Sequence, residues 1–154
     1  VKVAADDPSL AVGTAAPQSH TQTSQDPATL YQLTSDNDPN PALYTQTIAE
    51  AVTSGKPSVI VFASPGLCSN RICAPVMTST IKPLWEQYRT QLNIVHVEVY
   101  NLQTSQYVPA MAEWGLDNEP WTYVVDAKGM ITARFDGPIS ITELTPALQR
   151  VLVP

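Results

Sequence analysis

The sequence predicts one α/β domain carried behind an extended arm, and three observations lead there. Val59-Ile60-Val61-Phe62 is an unbroken apolar run that ends at Pro65-Gly66 and delivers the only two cysteines, Cys68 and Cys73, to the start of a helical pattern. A run of that length bounded by turn residues reads as a buried strand, a loop and a helix N-terminus. Ile94–Tyr100 alternates, with Val95, Val97 and Val99 on one face and His96, Glu98 and Tyr100 on the other, as a strand does. Trp121–Val125 and Met130–Phe135 flank the tight turn Asp126-Ala127-Lys128-Gly129, a hairpin signature.

Taken in order, residues 1–40 hold Pro8, Pro17, Pro27 and Pro39 among small polar residues, with brief apolar marks at Leu10-Ala11-Val12 and Leu30-Tyr31-Gln32-Leu33. That composition predicts an extended, partly ordered arm, followed by a domain over residues 41–154. Thr47-Ile48-Ala49-Glu50 matches a capping box, so a short helix is expected from Ile48 to about Ser54, stopped by Gly55 with Pro57 beyond. The buried strand is expected over Ser58–Ala63. Helical spacing then holds from Ala74 to Gln91 through Val76, Ile81, Leu84, Trp85 and Tyr88, with a bend expected at Pro83, which has no amide to donate. A short helix over Gln106–Trp114 and a terminal amphipathic helix over Thr142–Leu152 complete the set.

Composition removes several classes of function. The 154 residues are 44% hydrophobic and 14% charged, enough apolar material for one core but not for two. A formal charge of -6 would be repelled by a phosphate backbone, which argues against nucleic acid as a partner. No apolar stretch approaches the length of a membrane span, so no transmembrane segment is expected. The polar start at Val1 reads as that of a processed exported protein, one tethered to a membrane before processing in one version of that expectation. Ser/His/Asp, phosphate-loop and metalloprotease patterns are absent.

The order strand, Cys-bearing helix, strand, helix, Pro-initiated strand, hairpin strand and terminal helix resembles the thioredoxin superfamily over Thr45–Val153. The motifs that carry the likeness are F-A-S-P-G-L-C-S-N-R-I-C-A-P, W-G-L-D-N-E-P-W-T-Y-V-V-D-A-K-G and F-D-G before the last helix. The resemblance implies a thioredoxin fold, a central mixed β-sheet flanked by helices, with a cis-proline at Pro120. It also implies thiol–disulfide oxidoreductase chemistry on protein thiols and disulfides, with Cys68 and Cys73 catalytic and Glu119, Pro120 and Trp121 beside an extended substrate. V-G-T-A-A-P at Val12–Pro17 resembles the entry segment of exported bacterial relatives, which implies an extracytoplasmic setting: periplasmic, cell-surface or secreted. The sequence departs from the family at the motif itself, which is C-x4-C rather than C-x-x-C, and at Val61, where the family has a buried acid.

Physical reasoning leaves three roles open for the pair. Five residues apart in one α-helix, the cysteines would stand about 140° apart around the axis and about 7.5 Å along it, too far to bridge. A turn at Ser69-Asn70 would fold Cys68 back, which places Cys68 in loop and Cys73 at the helix start. Helix-terminal amides and Arg71 favour thiolate, whereas Glu119 opposes it. The first role is redox exchange, with the redox-active disulfide as the only cofactor. The second is a structural staple in a binding or scaffold domain, stabilising by about 2 kcal/mol. The third is a Cu(I) site built from Cys68, Cys73 and His96. The plain alternatives are a hydrogen-bonded core histidine for His96, core packing for Met77, Trp85, Trp114 and Trp121, and a solvated His20.

Overall fold

The computed structural model describes residues 7–68 and 71–152. A four-stranded sheet lies at its centre: β1 (Ser58–Phe62), β2 (Asn93–Val97), β3 (Trp121–Val125) and β4 (Ile131–Asp136), in spatial order β2-β1-β3-β4. β1 runs parallel to β2 and antiparallel to β3, and β3 pairs antiparallel with β4, so the sheet is mixed. All five residues of β1 are buried, because the strand is central and covered on both sides.

Alternation along the strands sorts the core into two layers. Val59, Val61, Ile94 and Val124 pack with Val76, Met77, Ile81, Leu84, Leu144 and Leu148 on one face. Ile60, Phe62, Val95, Val97, Tyr123 and Val125 pack with Ile48, Val52, Met111 and Trp114 on the other. The helices α1 (Ile48–Val52) and α4 (Pro109–Glu113) therefore cover one face of the sheet. The other is covered by the segment from α2 (Cys73–Pro75) to α3 (Lys82–Tyr88) and by α5 (Ile141–Leu152).

Local chemistry explains where the elements start. The Thr47 hydroxyl accepts from Glu50 N at 3.0 Å and the Glu50 carboxylate accepts from Thr47 N at 2.8 Å, the capping box expected for α1. Gly55, at φ 81°, lies in the turn that follows. Between α2 and α3 the backbone widens into π-helical turns over Val76–Ile81, with Lys82 N–H bonding Met77 O. Pro83 then falls in the first turn of α3, where a missing donor is tolerated. The constraint expected to bend the helix at Pro83 is thus met by wider turns just before it.

Two boundaries and one side-chain placement depart most from the sequence reading. β2 ends at Val97 rather than Tyr100, and both of its faces are buried, including His96; Glu98, just beyond its end, is buried as well. α4 begins at Pro109 rather than Gln106, because Tyr107 pairs back onto Tyr100 in an isolated bridge and Val108 stays extended. Trp121 is 5% exposed and stacks on Tyr123, so its side chain belongs to the core rather than to a groove wall.

The arm is integral to this core. Gly13 N–H and Ala16 N–H donate to Ile131 O and Gly129 O, and Ile131 N–H donates to Thr14 O, which lays the arm along the β3–β4 hairpin. Leu30, in a 3-10 turn over Pro27–Gln32, is 3% exposed and joins the layer that contains Val61 and Cys73. Thr34 and Asp36 are buried as well, and Asp36 pairs with Lys82 of α3 at 3.1 Å.

Candidate active site at the cysteine loop

The loop after β1 is built outward from Ser64. Its carbonyl accepts from Leu67 N at 3.0 Å and from Cys68 N at 2.9 Å, its hydroxyl accepts from Val99 N at 3.3 Å, and its own N–H donates to Glu119 Oε1 at 2.9 Å. One buried serine therefore sets the turn that carries Cys68 and ties it to the chain before Pro120. Cys68 O then accepts from Arg71 N at 3.1 Å, and Arg71, exposed and at φ 59°, turns the backbone toward Cys73. The turn expected at Ser69-Asn70 lies outside the described residues.

Cys68 and Cys73 form a disulfide with Cα atoms 6.0 Å apart. The two sulfurs are not equivalent. Cys73 is the first residue of α2 and is 0% exposed. Cys68 stands in loop, partly buried, and lines an open groove together with Leu67, Tyr100, Tyr107 and Glu119. Leu67 and Tyr107 are 53% and 46% exposed, an apolar rim beside the outer sulfur.

Glu119 is the charged group nearest the chemistry among the described contacts. Its Oε1 lies 3.1 Å from Cys73 Sγ, and the Glu119-Pro120 peptide is cis. Burial pushes its carboxyl above the usual carboxylate range, against the pull of the Ser64 N–H and hydroxyl. When the disulfide is reduced, a Cys73 thiol at this distance donates to the carboxylate, and a Cys73 thiolate is opposed by it.

His96 takes the plainer of the roles open to it, that of a hydrogen-bonded core histidine. Nε2 lies 2.8 Å from Ala63 O, which can only accept, so Nε2 carries the hydrogen; Nδ1 then accepts from the Tyr44 hydroxyl at 2.7 Å. Burial holds the imidazole below its ordinary pKa, against the nearby Glu98 carboxylate. Both nitrogens are engaged in the neutral ring, which fixes the backbone where β1 passes into the cysteine loop. Among the described residues, the His/Cys/Asp/Glu group whose ligand atoms lie within 4.8 Å of one another is Cys68, Cys73 and Glu119, without His96.

No protein-family model matches the sequence, and no curated protein matches it significantly. Solved structures do match. A thiol-disulfide isomerase from Corynebacterium glutamicum, 12% identical, superposes with a TM-score of 0.53 over 77% of this chain and 95% of its own. A thiol:disulfide interchange protein DsbE from Chlorobium tepidum, 14% identical, gives 0.51 over 66% and 83%. A thioredoxin-like superfamily protein, 16% identical, gives 0.50 over 94% and 98%. The chain has a thioredoxin fold. The neighbours share it, and the disulfide stands in this chain where β1 of the fold hands over to the helix.

Of the residues singled out from sequence, this thioredoxin-like structure brings Cys68, Cys73, Glu119 and Pro120 together, with Arg71 in the same loop. It places Trp121 in the core, Met77 at 0% exposure, Trp114 at 0% with its indole N–H on Ser19 Oγ, and His20 at the surface. Sequence reasoning missed Ser64, Ser35 and Glu98. Glu98 is buried and accepts from Thr34 Oγ1 at 3.1 Å, Ser35 N at 2.9 Å and Ser35 Oγ at 2.6 Å. Ser35 Oγ in turn accepts from Gly66 N at 2.9 Å. A Cβ at Gly66 would meet Ser35 O at 2.5 Å, so glycine is what lets the arm close onto the loop.

Proposed function

We propose that this protein is an extracytoplasmic thiol–disulfide oxidoreductase acting on protein thiols and disulfides through Cys68 and Cys73. The observation that carries the reading is the asymmetry of the pair, with Cys68 lining an open groove and Cys73 buried against Glu119. In the reducing direction the Cys68 thiolate attacks a substrate disulfide, forming a mixed disulfide and releasing one substrate thiolate. The Cys73 thiolate then attacks Cys68 Sγ, releases the second substrate thiolate and restores the Cys68–Cys73 bond. The substrate gains two electrons and the pair loses two. Glu119, in the groove lining, and the backbone at Pro120 just after it flank the path of an extended substrate. A disulfide in this position favours an oxidising compartment such as the periplasm, the cell surface or the medium.

A structural staple is the second reading, favoured by the full burial of Cys73 and by the arm's grip on Gly66. The midpoint potential of the pair in glutathione buffers separates the two. A value between about -120 and -270 mV is expected for an exchange enzyme, with loss of exchange in Cys68→Ser. A value below about -300 mV would leave the staple.

A further inference from the structure

We propose that reduction of the Cys68–Cys73 disulfide creates a zinc(II) site made of the two thiolates and the Glu119 carboxylate. The proposal rests on the reading of the pair as reducible, and it adds a ligand and a regulator to that same site.

Geometry argues for it first. The two sulfurs and a Glu119 oxygen lie within 4.8 Å of one another, and Glu119 Oε1 is 3.1 Å from Cys73 Sγ. Zinc bonds of about 2.3 Å to sulfur and about 2.0–2.2 Å to oxygen require tetrahedral edges of about 3.6–3.8 Å. Once the S–S bond is opened, side-chain rotation at Cys68, in its loop, and a small widening at Glu119 supply those edges while the backbone stays in place. Ser64 N–H already holds the same Oε1 that faces Cys73 and so fixes the carboxylate, as the partners of metal ligands do. The open groove on the Cys68 side leaves a fourth position for water or substrate, and Asp117 in its lining adds negative potential.

The chemistry selects the ion. Two thiolates alone satisfy copper(I), whereas two thiolates with a carboxylate oxygen suit borderline zinc(II). His96, with both nitrogens engaged, is not needed. The oxidised pair has no thiolate to offer, so the site exists only in one redox state. Reduction by glutathione balances: two glutathione thiols become one glutathione disulfide, the protein disulfide takes two electrons, and the two protons leave as zinc binds the thiolates. Zinc bound to the reduced form alone must raise the midpoint potential of the pair, by about 30 mV for each tenfold of free zinc above its dissociation constant.

The experiment is a redox titration of the whole chain in glutathione buffers, first with chelator, then with free zinc fixed by a nitrilotriacetate buffer. The chelated titration tests whether the pair is reducible in the range of exchange enzymes, and the zinc series tests the site. The expected result is the tenfold dependence in the wild type and, in Glu119→Gln, a need for more than tenfold higher zinc to reach the same shift. Gln keeps an acceptor for Ser64 N–H. Cobalt(II) added to the reduced wild-type protein should give thiolate-to-metal charge-transfer absorption in the near ultraviolet, absent from the oxidised protein. A potential that zinc leaves unmoved, a Glu119→Gln protein that responds as the wild type does, or the lack of a cobalt–thiolate band would each overturn the site without touching the exchange reading.

Discussion

Replacing Ser35 by alanine separates the arm from the cysteine loop at one point, and the structure fixes the expected cost. Ser35 Oγ donates to the buried Glu98 carboxylate at 2.6 Å and accepts from Gly66 N at 2.9 Å. A hydrogen bond to a charged group contributes about 1.5–3 kcal/mol, and the exposed Gly66 amide, able to turn to water, adds about 0.5 kcal/mol. Ser35→Ala should therefore lower the unfolding free energy by about 2–3.5 kcal/mol. Glu98→Gln tests the same contact from the other side, since its oxygen can stay on Thr34 O–H and Ser35 N–H while its NH2 replaces the charged acceptor of Ser35 O–H by a neutral donor. Urea denaturation of the oxidised single and double variants closes a cycle, and residues in direct contact should couple by about 1–2 kcal/mol. A loss below about 0.5 kcal/mol in Ser35→Ala, or an additive cycle, would refute the view that this bond fastens the arm.

Two further outcomes follow from the buried groups. Leu30→Ala should cost about 2–5 kcal/mol by urea denaturation, because it empties a site 3% exposed in the layer beneath Cys73; a surface-like loss under 0.5 kcal/mol would mean the arm is not part of the core. Burial lowers the His96 pKa in the fold, so the unfolded chain binds the extra proton and stability falls as pH drops below about 6.5, by at most about 1.4 kcal/mol per pH unit. Glu119, whose pKa is raised, works with the opposite sign, favouring the fold as it takes up its proton. His96→Gln should flatten the loss between pH 6.5 and 5 in equilibrium denaturation, and an unchanged slope would assign it elsewhere.

What the sequence disclosed was what is encoded locally. The Thr47–Glu50 capping box, the apolar run of β1 and the Asp126–Gly129 turn each lie within a few residues of chain, and each formed as its pattern required. The placing of Cys68 in loop and Cys73 at a helix start followed from helix geometry and the turn tendency of Ser69-Asn70. Alternation in β2 was visible, yet nothing in it said that the polar face is buried, because the groups that satisfy His96 and Glu98 come from Tyr44, Thr34 and Ser35, more than 50 residues away. The π-helical turns before Pro83 were hidden for another reason: a helical period identifies the face of a helix, not the number of residues in each turn. Trp121 followed the cis-proline in the family's groove segment, but neighbours Tyr123 and Arg134 sequester it.

The arm also sets an order of events during synthesis. Arg134 reaches back to Ser9 and Leu10 across 125 and 124 positions, and Trp114 to Ser19 across 95. The arm is therefore made well before the partners it needs, and the hairpin edge it covers stays open until the residues around Arg134 have been added. Until then the apolar side chains of the arm, Leu30 among them, have no core to enter, and the order of synthesis along the chain sets the order in which its layers can close.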